Sequence, residues 1–276
     1  MEEICYWLLC FTPILESSNE RIFGFSEYLT AVALLALLYT ITDTRYKFRI
    51  AITPGHLHTT SYYLLAIIGI QSLLSEVWIA EGWWVPVTKG LTYSIWQMIF
   101  GMLFLGIFLT WMYYAFIRPP IFGKRNARRY ARELYKYVLK GSDDELKVIA
   151  DELSRSARTL IELTHNIESY DNTKGQHHPK RKVSARDYAH DILLLLGSRR
   201  LCMHIVATSP ITAQAFFEEM AARNKFNIPI GQFAKNISSE AIAQKGSFLY
   251  VESEGYTSGL LGYLKPVSTA IYGNFS

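Results

Sequence analysis

The sequence predicts a mainly α-helical protein. A multi-pass membrane domain with three transmembrane helices, N-terminus outside and C-terminus inside, precedes a predominantly helical cytoplasmic domain with at most a minor strand component. Two observations carry this prediction. Three long apolar stretches crowd the first 117 residues, and the chain then turns abruptly basic at Arg118, Lys124, Arg125, Arg128, Arg129 and Arg132. The whole-chain averages, 19% charged residues and a net charge of +4, conceal that asymmetry. The part after Ile117, about 160 residues, is enough for one core-forming domain.

Residues 1–23 read as an external or interfacial segment. The acidic start Met1-Glu2-Glu3 does not resemble a secretory signal, which opens with positive charge. Ile4 to Leu15 is an apolar run interrupted by Pro13. It is too short to span a bilayer, so an interfacial or re-entrant segment packed on other helices is expected.

A spanning helix needs roughly 20 apolar residues. Residues 25–41, 61–80 and 91–117 supply three within a membrane domain of 24–117. The third exceeds the hydrocarbon thickness and is expected to tilt or project inward. Its Gly101 and Gly106 are spaced by five and do not form a small-xxx-small motif. Orientation follows from Lys and Arg in the short loops. The first loop carries Arg45, Lys47 and Arg49, whereas the second carries only Lys89, beside Glu81 and the pair Trp83-Trp84. The first loop and the basic segment after helix three are therefore expected inside, and the Trp pair in an outer interfacial belt.

Three polar side chains fall in the apolar stretches. Glu27 and Glu76 lie near the outer ends of their helices, and Gln71 nearer mid-depth. The carboxylates read as interfacial groups reaching headgroups, or else as an ion path or an interhelical hydrogen bond. Gln71 is the stronger candidate for interhelical contact.

Residues 118–140 form a basic juxtamembrane segment, with a helix expected from Lys124 to Lys140. Arg125, Arg128, Arg129, Arg132 and Lys136 share one stripe, with Lys124 beside them. Ala127, Tyr130, Ala131, Leu134 and Val138 mark an apolar face about 200° away. The stripe suits anionic lipid, at about 1 kcal/mol per basic residue, or an acidic partner; nucleic acid is disfavoured by the adjoining membrane helix. Pro119-Pro120 stiffens the connection.

Residues 141–276 read as the helical cytoplasmic domain. Ser142 and Glu145 make a capping box, and Leu146, Ile149, Ala150, Leu153, Ala157, Leu160 and Ile161 recur on one face. Residues 172–182, with His177-His178, read as a surface loop without enough ligands for a metal. Ser184 caps the next helix, with Leu193 to Leu196 apolar all round. Asp187, His190 and Asp191 lie on it within one turn, a weak candidate for acid–base chemistry without a placed nucleophile. Leu201 to Ala207 suits either strand or helix, Ser209-Pro210 starts a helix, and Pro229 to Gln244 is helical. Ser247 to Glu252 is the best strand candidate, and Ser258 to Asn274 reads as an element that packs on something. Glycosylation patterns at Asn236 and Asn274 would be inert on the cytoplasmic side.

No GxxxxGK[ST], GxGxxG, HExxH, GxSxG or paired CxxC is present. Cys5, Cys10 and Cys202 make neither a redox pair nor a zinc set. No cofactor or metal is expected, and an enzyme is not favoured. The leading expectation is a bacterial inner-membrane anchor, sensor or effector whose cytoplasmic domain binds a partner or signal. Membrane lipids, a protein partner or a second copy of the chain are the expected partners. An oligomeric pore lined by Glu27, Gln71 or Glu76, and a membrane-tethered enzyme using the Asp187 cluster, are the alternatives.

Overall fold

The computed structural model describes residues 4–6, 9–12, 23–54, 57–81, 85–87, 93–167, 183–254 and 266–272, and these are mostly helical. In chain order come β1 (Ile4–Tyr6), β2 (Leu9–Thr12), α1 (Phe25–Ile41), α2 (Thr44–Ala51), α3 (Leu57–Ala80), β3 (Val85–Val87) and α4 (Tyr93–Met112). Then follow α5 (Ala127–Lys140), α6 (Asp143–Ser154), α7 (Ala157–Leu163), α8 (Ala185–Leu196) and α9 (Arg199–Thr208). The last four are α10 (Pro210–Ala222), α11 (Gly231–Ala243), α12 (Phe248–Glu254) and α13 (Pro266–Tyr272). The chain divides into two compact units, Met1–Asp43 with His56–Pro119, and Thr44–Gly55 with Pro120–Ser276.

The first unit holds the apolar helices. Thr59–Trp78 of α3, and Ile95–Ile117 of α4 with the turn after it, are each long and apolar enough to cross a membrane. A third candidate arises from α1, which bends by 111° into α2. Because α2 belongs to the other unit, α1 stands alone with 17 residues, or about 25 Å, at the short end of spanning helices. After Met112 the helix widens into a π turn, Tyr113–Ile117, closed by the Arg118 N–H donating to the Tyr113 carbonyl at 2.9 Å.

Tyr28 sets how α1 meets α3. Its hydroxyl donates to the Leu65 carbonyl at 2.8 Å, its ring meets Phe104 edge-on with centroids 6.4 Å apart, and it lies over Gly69. A Cβ at Gly69 would stand 2.6 Å from that ring. Lower on α3, Ser61 accepts from the Trp111 indole of α4 at 3.1 Å.

The expectation for Ile4 to Leu15 left its local structure open. It contributes an antiparallel pair, β1 and β2, extended by β3 into a three-stranded sheet with Cys5 opposite Cys10 and Cys10 opposite Val87. A short apolar run does not reveal its own period, and the third strand comes from a loop some 70 residues away in the chain.

The second unit closes around one core. Leu146, Ile149, Leu153, Leu160 and Ile161 are fully buried, as periodicity predicts, along with Phe216, Phe233 and Ile237. Both capping boxes form, at Ser142 with Glu145 and at Ser184 with Asp187, and Pro210 opens α10. Leu201 to Ala207 is helical. Of the apolar run in α8, Leu193 and Leu196 are buried but Leu194 is 53% exposed. Ser247 to Glu252 is not a strand but the start of α12. Its Ser247 hydroxyl donates to the Ala241 carbonyl at 2.6 Å, and the Glu252 carboxylate caps α13 through Val267 and Ser268 N–H at 3.1 and 2.8 Å. Val267 joins the domain core, so within 258–274 the described helix α13 packs on this same domain.

The helix expected from Lys124 begins at Ala127, because the Asn126 side chain is engaged elsewhere. It accepts from Gly123 N–H and donates to the Ile52 and Ile121 carbonyls at 2.9 Å each. The paired histidines at 177 and 178, Trp83, Trp84 and Lys89 lie outside the described residues.

Candidate functional site

One candidate site lies in the loop between α1 and α3, which packs on α5 and α6. Its sequence, Thr-Arg-Tyr-Lys-Phe-Arg-Ile-Ala, reads as a basic turn, yet it forms α2 and enters the core of the second unit. Phe48 and Ile52 are each 1% exposed. The Phe48 ring meets Tyr130 and Tyr137 of α5 edge-on, with centroids 5.5 and 5.9 Å apart. Arg49 forks onto Glu152 of α6, its Nε donating to Oε2 at 2.9 Å and a terminal nitrogen to Oε1 at 2.6 Å. Both residues are 5% exposed, so each charge depends on the other for its compensation. Arg45 adds a bond to Asp151 at 2.9 Å, and the Tyr46 ring faces the Arg49 guanidinium at 5.5 Å.

The basic stripe divides in two. Arg129 is half-buried and donates to the Thr53 carbonyl at 3.1 Å, so it helps hold the loop. Arg128, Arg132 and Lys136 are exposed, and Glu133 lies 3.6 Å from Arg132 and 3.7 Å from Lys136. Tyr135 and Leu139 share that outer face and are each 55% exposed. Lys124 and Arg125 sit in the turn before α5. The opposite face, with Ala127, Tyr130, Leu134 and Val138, is buried. Burial pushes the Tyr130 hydroxyl above its ordinary pKa.

Among the polar groups of the apolar stretches, the interhelical contact belongs to Glu76 and not to Gln71. The Phe25 N–H donates to Glu76 Oε1 at 2.8 Å, and the Gly24 N–H donates to Glu27 Oε2 at 2.9 Å. Two carboxylates thus satisfy the first donors of α1 and complement its positive end. Gln71 is exposed. The buried stripe of α3 runs through Ser61, Ile68, Gly69 and Ser72, and Gln71 falls about 100° from Ser72 and 200° from Gly69. Gln97 of α4, 2% exposed, is a buried polar residue that hydropathy does not reveal.

The three candidate residues on α8 differ in exposure and in the neighbours they meet. Asp187 accepts from Ser184 N–H at 2.8 Å as a cap and lies 3.8 Å from His165. Asp191 is exposed. His190 is buried and lines an open cavity of about 600 Å³ with Ile167, Leu194, Phe217, Phe226 and Ile230. Those walls supply apolar contact and no nucleophile. A second hollow, about 450 Å³, has polar and basic walls: Lys124, His165, Asn166, Arg186, Lys225 and Glu162. Arg186 and Lys225 stand 39 positions apart in the sequence and belong to no local motif. Among the described residues, no group of three His, Cys, Asp or Glu side chains could hold a metal ion. Burial, then the nearby Glu240, pushes the Cys202 thiol up to about 12, which leaves it unreactive near neutrality.

Comparison with protein-family models, curated proteins and solved structures finds no match for this chain.

Proposed function

We propose that this protein is a membrane-anchored sensor or effector whose helical domain is mechanically joined to its membrane helices at more than one point. The observation that carries the reading is the burial of α2 in the domain core through Phe48, Ile52 and the Arg49–Glu152 pair. By covalent continuity that domain holds the end of α1, the start of α3 and the segment leaving α4. A rearrangement of α6 on binding a partner would therefore reach three helix ends at once, which a domain hung from a single tether cannot do.

The order of pairing supports three crossings. β1 and β2 precede α1, and their partner β3 lies between α3 and α4. The loop helix α2 and the domain that encloses it are likewise separated by α3 and α4. Segments that pair share one side of a bilayer, so each of α1, α3 and α4 reads as a crossing. The Lys and Arg distribution favours the cytoplasmic side for the domain. On that side the outer face of α5, with Arg128, Arg132, Lys136, Tyr135 and Leu139, suits an anionic leaflet.

Topology reporters test this reading. Alkaline phosphatase fused after Glu81 is expected to be active outside, and green fluorescent protein fused after Ser276 to fluoresce inside. The same side for both fusions would overturn it.

A further inference from the structure

We propose that the basic hollow bounded by the end of α7, the first turn of α8 and the segment after α10 is a binding site for a dianionic phosphoryl group. The proposal stands whether or not the domain couples to the membrane helices. Its walls gather cations from separate parts of the chain. Lys124 comes from the turn before α5, Arg186 from the first turn of α8, and Lys225 from beyond the end of α10.

Lys225 gives the hollow a fixed charge. Its ammonium donates to the carbonyls of Ile161, Glu162 and Thr164 at 3.0, 2.7 and 3.1 Å. All three donors are used, so Lys225 closes the end of α7 and contributes to the hollow by its field alone. Burial, then the charges of Arg186 and Arg223, hold its pKa below the ordinary lysine value. Crowded cations of this kind are relieved by a bound anion.

Among the described residues the wall carries three Lys or Arg side chains and one carboxylate, with Asp187 nearby. Glu162 lies on the wall and is 3.8 Å from Arg223. Asp187 is committed to capping Ser184 and stands 3.8 Å from His165. Arg223 lies off the wall and is paired with Glu219 at 3.2 Å as well as with Glu162, which leaves Lys124, Arg186 and Lys225 on or beside the wall against Glu162 and Asp187. Arg186 is exposed, and its planar fork matches two phosphoryl oxygens. Lys124 supplies a point charge, Asn166 an exposed amide, and the positive end of α8 lies alongside. A space of about 450 Å³ accepts a phosphoryl group with part of whatever carries it. The carrier is either a soluble phosphate or the headgroup of a phosphomonoester lipid, since Lys124 follows the last apolar helix by only a few residues.

The full-length protein in nanodiscs tests the proposal, read as the shift in unfolding temperature. In phosphatidylcholine discs, inorganic phosphate at constant ionic strength is expected to give a saturable rise. The double variant Lys124→Gln, Arg186→Gln is expected to weaken the apparent affinity at least tenfold. Both side chains are exposed, so its unfolding temperature without phosphate should match the wild type; Lys235→Gln, at an exposed position of α11 off the hollow, should bind as the wild type does. In a second arm without free phosphate, phosphatidate is expected to stabilise more than an equal fraction of phosphatidylglycerol, a preference the double variant loses. A response in the first arm names soluble phosphate, and one confined to the second names the lipid headgroup. No saturable rise in either arm, or an undiminished response in the double variant, overturns the proposal.

Discussion

The two units use apolar side chains in opposite directions. In the helices α1, α3 and α4 the large apolar residues point outward: Leu34, Met102 and Ile41 are 61, 64 and 76% exposed. In the second unit residues of the same kind, Leu134, Leu153 and Leu160, have no exposure at all. The first pattern suits hydrocarbon as solvent, where burial of apolar surface offers no driving force between helices. Contact there falls to a few specific groups, such as Tyr28 on Gly69 and Glu76 at the start of α1. The second pattern is ordinary hydrophobic closure. The contrast also suits the placement of α2, whose apolar and charged faces both find partners in the second unit.

That contrast can be broken most severely at the buried ion pair. Glu152→Ala leaves Arg49 buried without its carboxylate, and is expected to cost about 3–5 kcal/mol. For a domain of this size the unfolding temperature falls by about 6–20 °C. Replacing Arg49 and Glu152 together by Met is expected to cost much less, since no charge remains uncompensated. Equal losses from the single and double changes, in thermal unfolding by circular dichroism, would show that packing and not charge holds the loop.

A matched pair of truncations sharpens the comparison. Leu153→Ala, in the core of the second unit, is expected to cost about 2–5 kcal/mol. Leu103→Ala, on the 47% exposed surface of α4, is expected to stay within about 0.5 kcal/mol. Similar losses in the two would refute the opposite orientation of the apolar surfaces.

The smallest effect is electrostatic. The exposed Asp143 carboxylate lies 2.8 Å from Arg200 and 3.3 Å from His204. Arg200 first, then His204, holds its pKa below the ordinary carboxylate value. A lowered folded pKa contributes stability above the unfolded value, about 3.9, and loses it as pH falls through the lower folded value. Asp143→Asn is therefore expected to lower the unfolding temperature slightly at neutral pH, with the gap closing in acid. A gap that widens in acid would contradict the assignment.

Much of this architecture is legible residue by residue. The core face of α6 and α7, both capping boxes and the proline at the start of α10 follow from local spacing, because each depends on neighbours within one or two turns. The loop helix does not, because the partner of Arg49 lies 103 positions away and eight residues with two arginines and a lysine resemble a solvated turn. The helix at Phe248 is hidden for a related reason. Its aromatic and β-branched residues favour a strand locally, whereas the Ser247 and Glu252 contacts that hold it are tertiary. At the basic hollow only Lys124 stood out in the sequence; Arg186 and Lys225 meet through the packing of α7, α8 and α10.

An apolar helix in lipid has no preferred rotation about its own axis, since every side chain is equally at home facing the acyl chains. α1 is nearly uniform in this sense. The single missing side chain at Gly69 removes the degeneracy: Tyr28 can settle at one azimuth, and at that azimuth its hydroxyl finds the Leu65 carbonyl. The angular setting of α1 against α3 is specified by one notch and one key.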